Sequence, residues 1–389
     1  MARHSISLKI LFYFKNKSCL VLYVGSFILF PLAFSVASVQ NFDSNHGVSK
    51  FCKHFAEDES RFVDFQIPLQ GHEMKKVRVE WPKLELSPRL LSSESIFISS
   101  MSLALETLSE QGHLEKLEHL HILMNLPDDA GFGAAFCTNL QTDSSTAVLL
   151  VNRRTMTQSQ QLMRLIPHEL AHWAMDQHKK DFPRWFEETL GTIQEFRTMK
   201  EPTGPWFLAT LRFPQMGLTS LESNNVLEDP NQRLAAYGQV ALFSIFLEKH
   251  AKHSLLTFAL KKEEQDPFKI LEDFVDKYLH DKFDNLKEAF IAFIVAKHIN
   301  RLNNATGSED PELTLIYPTT EVAPTFSQPP LLQPWSGISV ALTLPPTSSE
   351  LEKEYWVETS MLKTTKIAPL KSHPKCPFEE CLRLRIRFD

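Results

Sequence analysis

Five residues, His168-Glu169-Leu170-Ala171-His172, constrain what this chain can fold into more than any others. If the run is helical, the two histidines stand one turn apart and turn their imidazoles to one side. They can then share a single divalent cation, with Glu169 between them placed to deprotonate a metal-bound water. Two histidines leave such a site incomplete. A catalytic zinc normally takes three protein ligands and keeps one position for water, so the fold must return a third donor to this helix. Pro167, directly before His168, lacks an N–H and either kinks the helix or marks the start of a new segment.

Two kinds of third donor follow in the sequence. His178 comes six residues after His172, the spacing H-E-x-x-H-x-x-G-x-x-H, but Met175 stands where that pattern has the glycine that turns the chain back. In an unbroken helix His178 lies about 80° around the cylinder from His168 and two to three turns along, too far to share an ion. With Lys179 and Lys180 behind it, His178 reads as the cationic end of the helix. The other donor is a glutamate on the next helix, in Pro183-Arg184-Trp185-Phe186-Glu187-Glu188. Glu188 shares a face with Trp185, Thr192, Phe196 and Met199, whereas Glu187 shares one with Arg184, Gly191, Gln194 and Thr198, which reads as solvent-facing. A carboxylate aimed into apolar surroundings needs a cation, which a metal ion or an Arg or Lys of the fold could supply.

Around the motif the pattern is that of an α+β protein. Lys76–Trp81 alternates like a strand, Ser92–Gln111 repeats apolar residues at helical spacing, and His119–Leu126 and Thr146–Asn152 read as strands around a loop at Asp128–Phe136. Helices are expected from Thr157 to His178 and from Phe182-Pro183 to Met199, the proline falling in the first turn. Gln232–His250 and two amphipathic stretches within Pro267–Asn300 supply three more. Residues 201–230 read as loop with short helical pieces, and residues 38–74 show no clear period. After Asn300 a proline-rich linker (301–350) leads to a small β-rich C-terminal appendage (351–389) in which Leu382–Phe388 alternates cleanly.

The N-terminus carries Arg3, Lys9, Lys15 and Lys17, then an apolar run from Cys19 to Phe34 and a small-x-small tripeptide, Ser35-Val36-Ala37. This is the layout of an export signal spanning 1–37, with an uncleaved anchor as the alternative. Membrane association is expected only in that second case, and export implies a periplasmic or secreted protein. Without the signal, Cys52, Cys137, Cys376 and Cys381 form an even set that suits disulfides in an oxidising compartment. A net charge of -6 provides no basic field, so nucleic acid is not an expected partner. With 29 phenylalanines against 12 glycines, the chain has the composition of a packed, helix-rich protein.

HELAH, fifteen residues, then Glu188 behind Pro183 and Trp185 resembles the gluzincin zinc metallopeptidases, closest to the peptidase MA-like family with its pattern HExxH … P-x-W-L-x-E-G-x-A-x-Y-x-E. The chain keeps Pro183, Trp185, Glu188 and Glu195, and departs at Thr189 for Gly, Gly191 for Ala and Ile193 for the aromatic. The resemblance covers roughly residues 75–300, and leaves 38–74 and 301–389 outside. It implies a thermolysin-like catalytic unit, a small mixed sheet followed by the HExxH helix and a helical subdomain, with Thr146–Asn152 as the sheet edge beside the cleft. It further implies a Zn²⁺ held by His168, His172 and Glu188, with Glu169 as general base toward a peptide or protein substrate. Glu195 is then expected behind a ligand histidine, and Tyr237, in Ala236-Tyr237-Gly238-Gln239, is the expected oxyanion donor; His250 and His253 are weaker candidates. A metzincin-like site using His178, or a non-catalytic binding or assembly protein retaining the scaffold, are the competing readings. The second would be favoured by loss of Glu169 or of a ligand, and none is missing.

Overall fold

A computed structural model of the chain describes residues 60–69, 73–82, 88–126, 134–137, 145–152, 155, 159–199, 209–210, 212–306, 331–339, 347, 349–358, 367–370, 375, 377 and 381–389. The expected signal at 1–37 and most of the proline-rich stretch lie outside these residues.

The architecture is α+β. A five-stranded mixed sheet has the order β1 (Ser60–Pro68), β2 (Met74–Pro82), β3 (His119–Leu126), β5 (Thr146–Asn152), β4 (Ala134–Phe136). The pairs β1–β2 and β4–β5 are antiparallel, whereas β2–β3 and β3–β5 are parallel. Between β2 and β3 runs α1 (Pro88–Ser109), which buries Phe97, Met101, Ala104, Leu105 and Leu108, the spacing of one helix face. That face meets Val77, Val79, Leu120, Ile122, Leu149 and Val151 in the same core. β5 is buried on both faces, so its β-branched and aliphatic run needs no alternation.

Two features differ from the sequence expectation. β1 occupies a segment read as patternless; it pairs with β2 over its whole length, with polar Asp64 and Gln66 alternating against buried Phe65 and Ile67. Thr146–Asn152 is not the sheet edge. The three residues of β4, read as loop, lie outside it and form the edge instead. So short a strand leaves no periodicity to detect, and it is held by pairing with β5 rather than by its own pattern.

The helical part follows with α2 (Ser159–Gln177), α3 (Arg184–Met199), a 3-10 turn (Leu218–Glu222), α4 (Asn224–Glu228), α5 (Pro230–Ala251), α6 (Leu255–Lys261), α7 (Pro267–Leu279) and α8 (Leu286–Thr306). α2 runs unbroken across Pro167. Pro183 lies just before α3 rather than in its first turn, and its carbonyl accepts from the N–H groups of Phe186 and Glu187. α5 starts on an Asp229 cap that accepts from Asn231 and Gln232, with Pro230 in the first turn, and ends at Lys252 in the left-handed region. Its middle, Ala235 to Leu247, is buried apart from half-buried Tyr237, as expected of a central helix.

A second, antiparallel sheet has the order β6 (Ser336–Ser339), β9 (Cys381–Arg387), β7 (Glu352–Glu358), β8 (Ile367–Pro369). Its buried Leu384 and Ile386 join the main core together with Trp335. Trp335 stacks on Phe268 at 4.9 Å and packs against Phe290 and Phe388. The backbone here approaches very closely: a Cβ on Gly217 would fall 1.6 Å from the Pro334 carbonyl oxygen. Two backbone bonds, Leu218 N–H to Trp335 O and Gln333 N–H to Gln215 O, complete the seam. Within the sheet, buried Glu354 is neutralised by Arg383 at 2.7 Å and Arg385 at 2.9 Å. No helix among the described residues is long and apolar enough to cross a membrane.

Candidate metal centre

α2 and α3 pack side by side and bring three donors together. His168 and His172, one turn apart on α2, place their Nε2 atoms 3.1 Å from each other, and Glu188 Oε2 of α3 lies 3.2 Å from His168 Nε2. The three ligand atoms all fall within 4.8 Å of one another, an arrangement that could hold a metal ion. Ligands around a tetrahedral zinc, with bonds of about 2.0–2.1 Å, stand roughly 3.3 Å apart, so the donor set matches in type and in spacing.

The electrostatics match as well. Burial works against a charge on His168, but the carboxylates of Glu188 and Glu195 outweigh it and hold the imidazole well above its ordinary range. Glu188 is lowered to about 2: burial opposes its ionisation, and hydrogen bonding and charge from His168, with help from His172 and Tyr237, overcome it. His172 is depressed to about 4 by burial and by His168, which suits a neutral imidazole able to donate a lone pair. The pocket thus favours positive charge where the three donors meet.

Glu169 is buried beside this group and accepts a hydrogen bond from the backbone N–H of Phe136, on β4. Burial, and secondarily the charge of Glu188, raise its carboxyl to about 7 against the pull of His168. A nearby divalent cation would draw it down again.

Behind the donors, Glu195 Oε1 lies 2.9 Å from His168 Nδ1, and Arg164 Nε donates to Glu195 Oε2 at 3.0 Å. The ring of His168 is therefore fixed on its far side, leaving Nε2 to face His172 and Glu188. Gly191 completes the fit from α3: a Cβ there would sit 2.9 Å from His168 Cε1 and 3.0 Å from both ring nitrogens. The start of α3 is capped by Glu222, whose Oε1 accepts from the Trp185 N–H at 2.8 Å. Nothing in the sequence marked Glu222 or Phe136 as contributors, because both reach the site through contacts between distant segments.

Tyr237, on α5, hydrogen-bonds the Glu188 carboxylate through its hydroxyl. Glu187, read as solvent-facing, is half-buried instead. Its carboxyl accepts from the Phe182 backbone N–H and is raised to about 7 by burial, then by the charges of Glu188 and Asp181. It stands outside the donor group. His178 is exposed beyond the end of α2 and takes no part in the group; its N–H bonds the Ala174 and Met175 carbonyls. His250 packs on Phe246 at 4.5 Å and His253 stacks on Tyr278 at 4.0 Å, both away from the donors. Cys137, just after β4, is disulfide-bonded; Cys52 and Cys376 lie outside the described residues. No protein-family model matches the chain, and no curated protein matches it.

Proposed function

We propose that this chain is an exported zinc-dependent peptidase of the gluzincin type, with His168, His172 and Glu188 as zinc ligands and Glu169 as general base. The observation that carries the reading is the convergence of three donors of zinc-binding type at ligand spacing, with a buried carboxyl beside them in the position of a base. A glutamate between two histidine ligands has no purpose in a purely structural site. Bound zinc would supply Lewis acidity toward a carbonyl and a water acidic enough to react near neutral pH. Glu169 accepts the proton of the attacking water and returns it to the leaving amine nitrogen. Glu195 holds the His168 ring through Nδ1. Tyr237, whose hydroxyl already reaches the Glu188 carboxylate, is placed to donate to the oxyanion.

A peptide is the favoured substrate class because, among the described residues, β4 is the sheet edge and has a strand partner on one side only. The Cys137 N–H is committed to the Val148 carbonyl of β5, while the Phe136 N–H points the other way, to Glu169. By alternation the Ala134 backbone faces the same outer edge. An extended peptide adding there would lie alongside the donor group. Export is supported by the disulfide at Cys137, a bond that persists in oxidising compartments.

Purified protein is expected to carry one zinc per chain by elemental analysis and to cleave an unfolded protein substrate. Glu169→Gln should retain the metal and lose about 10²–10⁴-fold in rate. Absence of zinc in both proteins would overturn the assignment. Zinc without cleavage would favour a binding protein built on the same scaffold.

A further inference from the structure

Two arginines flank the Glu188–Tyr237 side of the donor group. Arg184 opens α3 one turn before Glu188, and Arg233 lies near the start of α5, one turn before Tyr237. The Tyr237 hydroxyl bonds Glu188, and the positive charges of Arg233 and Arg184 both act on it. Both arginines are half-buried. Arg233 donates to the Leu227 carbonyl, and among the described residues neither arginine forms an ion pair. The neighbouring carboxylates are engaged elsewhere. Glu187, on which Arg184 acts only through charge, accepts from the Phe182 N–H. Glu222 accepts from the Trp185 N–H, and Asp229 from those of Asn231 and Gln232. Helix stability does not account for the arginines either, because a cation near a helix N-terminus opposes the dipole.

We propose that Arg184 and Arg233 form a carboxylate-recognition site, which selects peptides carrying an acidic group close to the scissile bond. The inference rests on the peptidase reading and narrows its substrate class. Four residues of helix amount to about 6 Å, the reach of about two extended residues, so the recognised carboxylate belongs within about three residues of the bond that is cut. Planar guanidinium groups suit it, since each can offer two parallel N–H groups to its two oxygens. A divalent cation held by two neutral histidines and one carboxylate keeps a positive charge, so the metal and the arginines attract the same sign. An acidic side chain and the free C-terminus of a peptide present this chemistry equally, and the second would release short C-terminal fragments.

The test uses the full-length, zinc-loaded protein and four matched octapeptide libraries, with an internal Glu or Gln and with a free or amidated C-terminus. Mass spectrometry locates the cuts and gives kcat/KM. At least one carboxylate-bearing library should be cut tenfold or more faster than the amidated Gln library; the Glu arm identifies a side chain, the free-end arm the terminus. Arg184→Gln and Arg233→Gln should each bring that ratio below threefold, through KM more than kcat, with zinc still bound. Arg184→Lys and Arg233→Lys keep the charge and should show an intermediate preference; if the glutamine variants fail to fold, an unchanged preference in the lysine variants overturns the proposal. Binding of the same peptides, fluorescein-labelled, to Glu169→Gln protein with and without each arginine variant gives a reading that needs no turnover. Cleavage of all four libraries at equal rates, or a preference that survives both glutamine variants, overturns this site and leaves the peptidase reading standing. Carboxylate-selective binding that the arginine variants abolish, without any cleavage, keeps the site while the peptidase reading fails. Neither cleavage nor selective binding overturns both.

Discussion

Gly191 faces the ring of His168, and the two residues determine each other. In an ordinary helix interior, replacing glycine by alanine gains about 1 kcal/mol. Here a Cβ would lie 2.9 Å from the ring, and the ring cannot yield freely because Glu195 holds its Nδ1. Gly191→Ala is therefore expected to weaken metal binding at least tenfold and to lower thermal stability, because the clash outweighs the helix-propensity gain, as read by chelator competition and a melting curve. Glu195→Gln should lower metal affinity about 10–100-fold and lose little secondary structure by circular dichroism. In the sequence, Gly191 was visible only as a glycine where the gluzincin pattern that the chain resembles has alanine. The histidines and Glu188 were legible because helical spacing and face are local properties. The reason for the glycine was not, since it lies in a ring on another helix.

Individual elements carry their own pH dependence. His113, in the turn after α1, is buried, and its Nε2 lies 3.1 Å from the Thr257 hydroxyl of α6. Burial first, then the charges of His178, Arg197 and Lys261, lower its pKa to about 4. The unfolded chain takes up that proton near 6.5, so between about 6.5 and 4 the unfolded state binds more protons than the folded one. Its contribution is complete above the upper limit, declines as pH falls, and levels off below the lower one. His113→Gln should reduce the loss of stability between pH 7 and 5 by about 2 kcal/mol, measured by urea titration at both values. Helices α2 and α3 were readable from their 3.6-residue period and α5 from its long apolar run free of internal proline, as was β2 from its alternation. β1 and β4 were not, because their identity comes from partners: β1 from full-length pairing with β2, β4 from three residue pairs with β5.

At the scale of the whole molecule, the second sheet is joined to the helices through an aromatic seam that reaches α3, the helix carrying Glu188. Trp335 stacks on Phe268, Phe268 packs on Trp185 at 5.2 Å, and Trp185 lies one turn before Glu188. Gly217, where the seam is tightest, begins the 3-10 turn that carries Glu222 to the start of α3. Gly217→Ala has no space for its methyl group. It should destabilise the protein by about 1–3 kcal/mol or more, the cost of overpacking, and weaken metal binding by loosening the Glu222 cap. Denaturant melts and chelator competition would register both, and limited proteolysis should cut within 331–389 faster than in the parent. If metal affinity stayed unchanged while stability fell, the seam would have no influence on the ligand helix.

The strand order of the second sheet also governs when the centre can be assembled. β9 lies between β6 and β7, so among the described residues β6 has no partner strand, and β7 only the short β8, until residues 381–387 have been synthesised. Phe388, which closes the ring of aromatic contacts around Trp335, follows immediately after. Non-local pairings of this kind form late. A nascent chain can thus present the HELAH helix long before the support for Glu188 exists, and the three donors gain their aromatic backing only once residue 388 has been made.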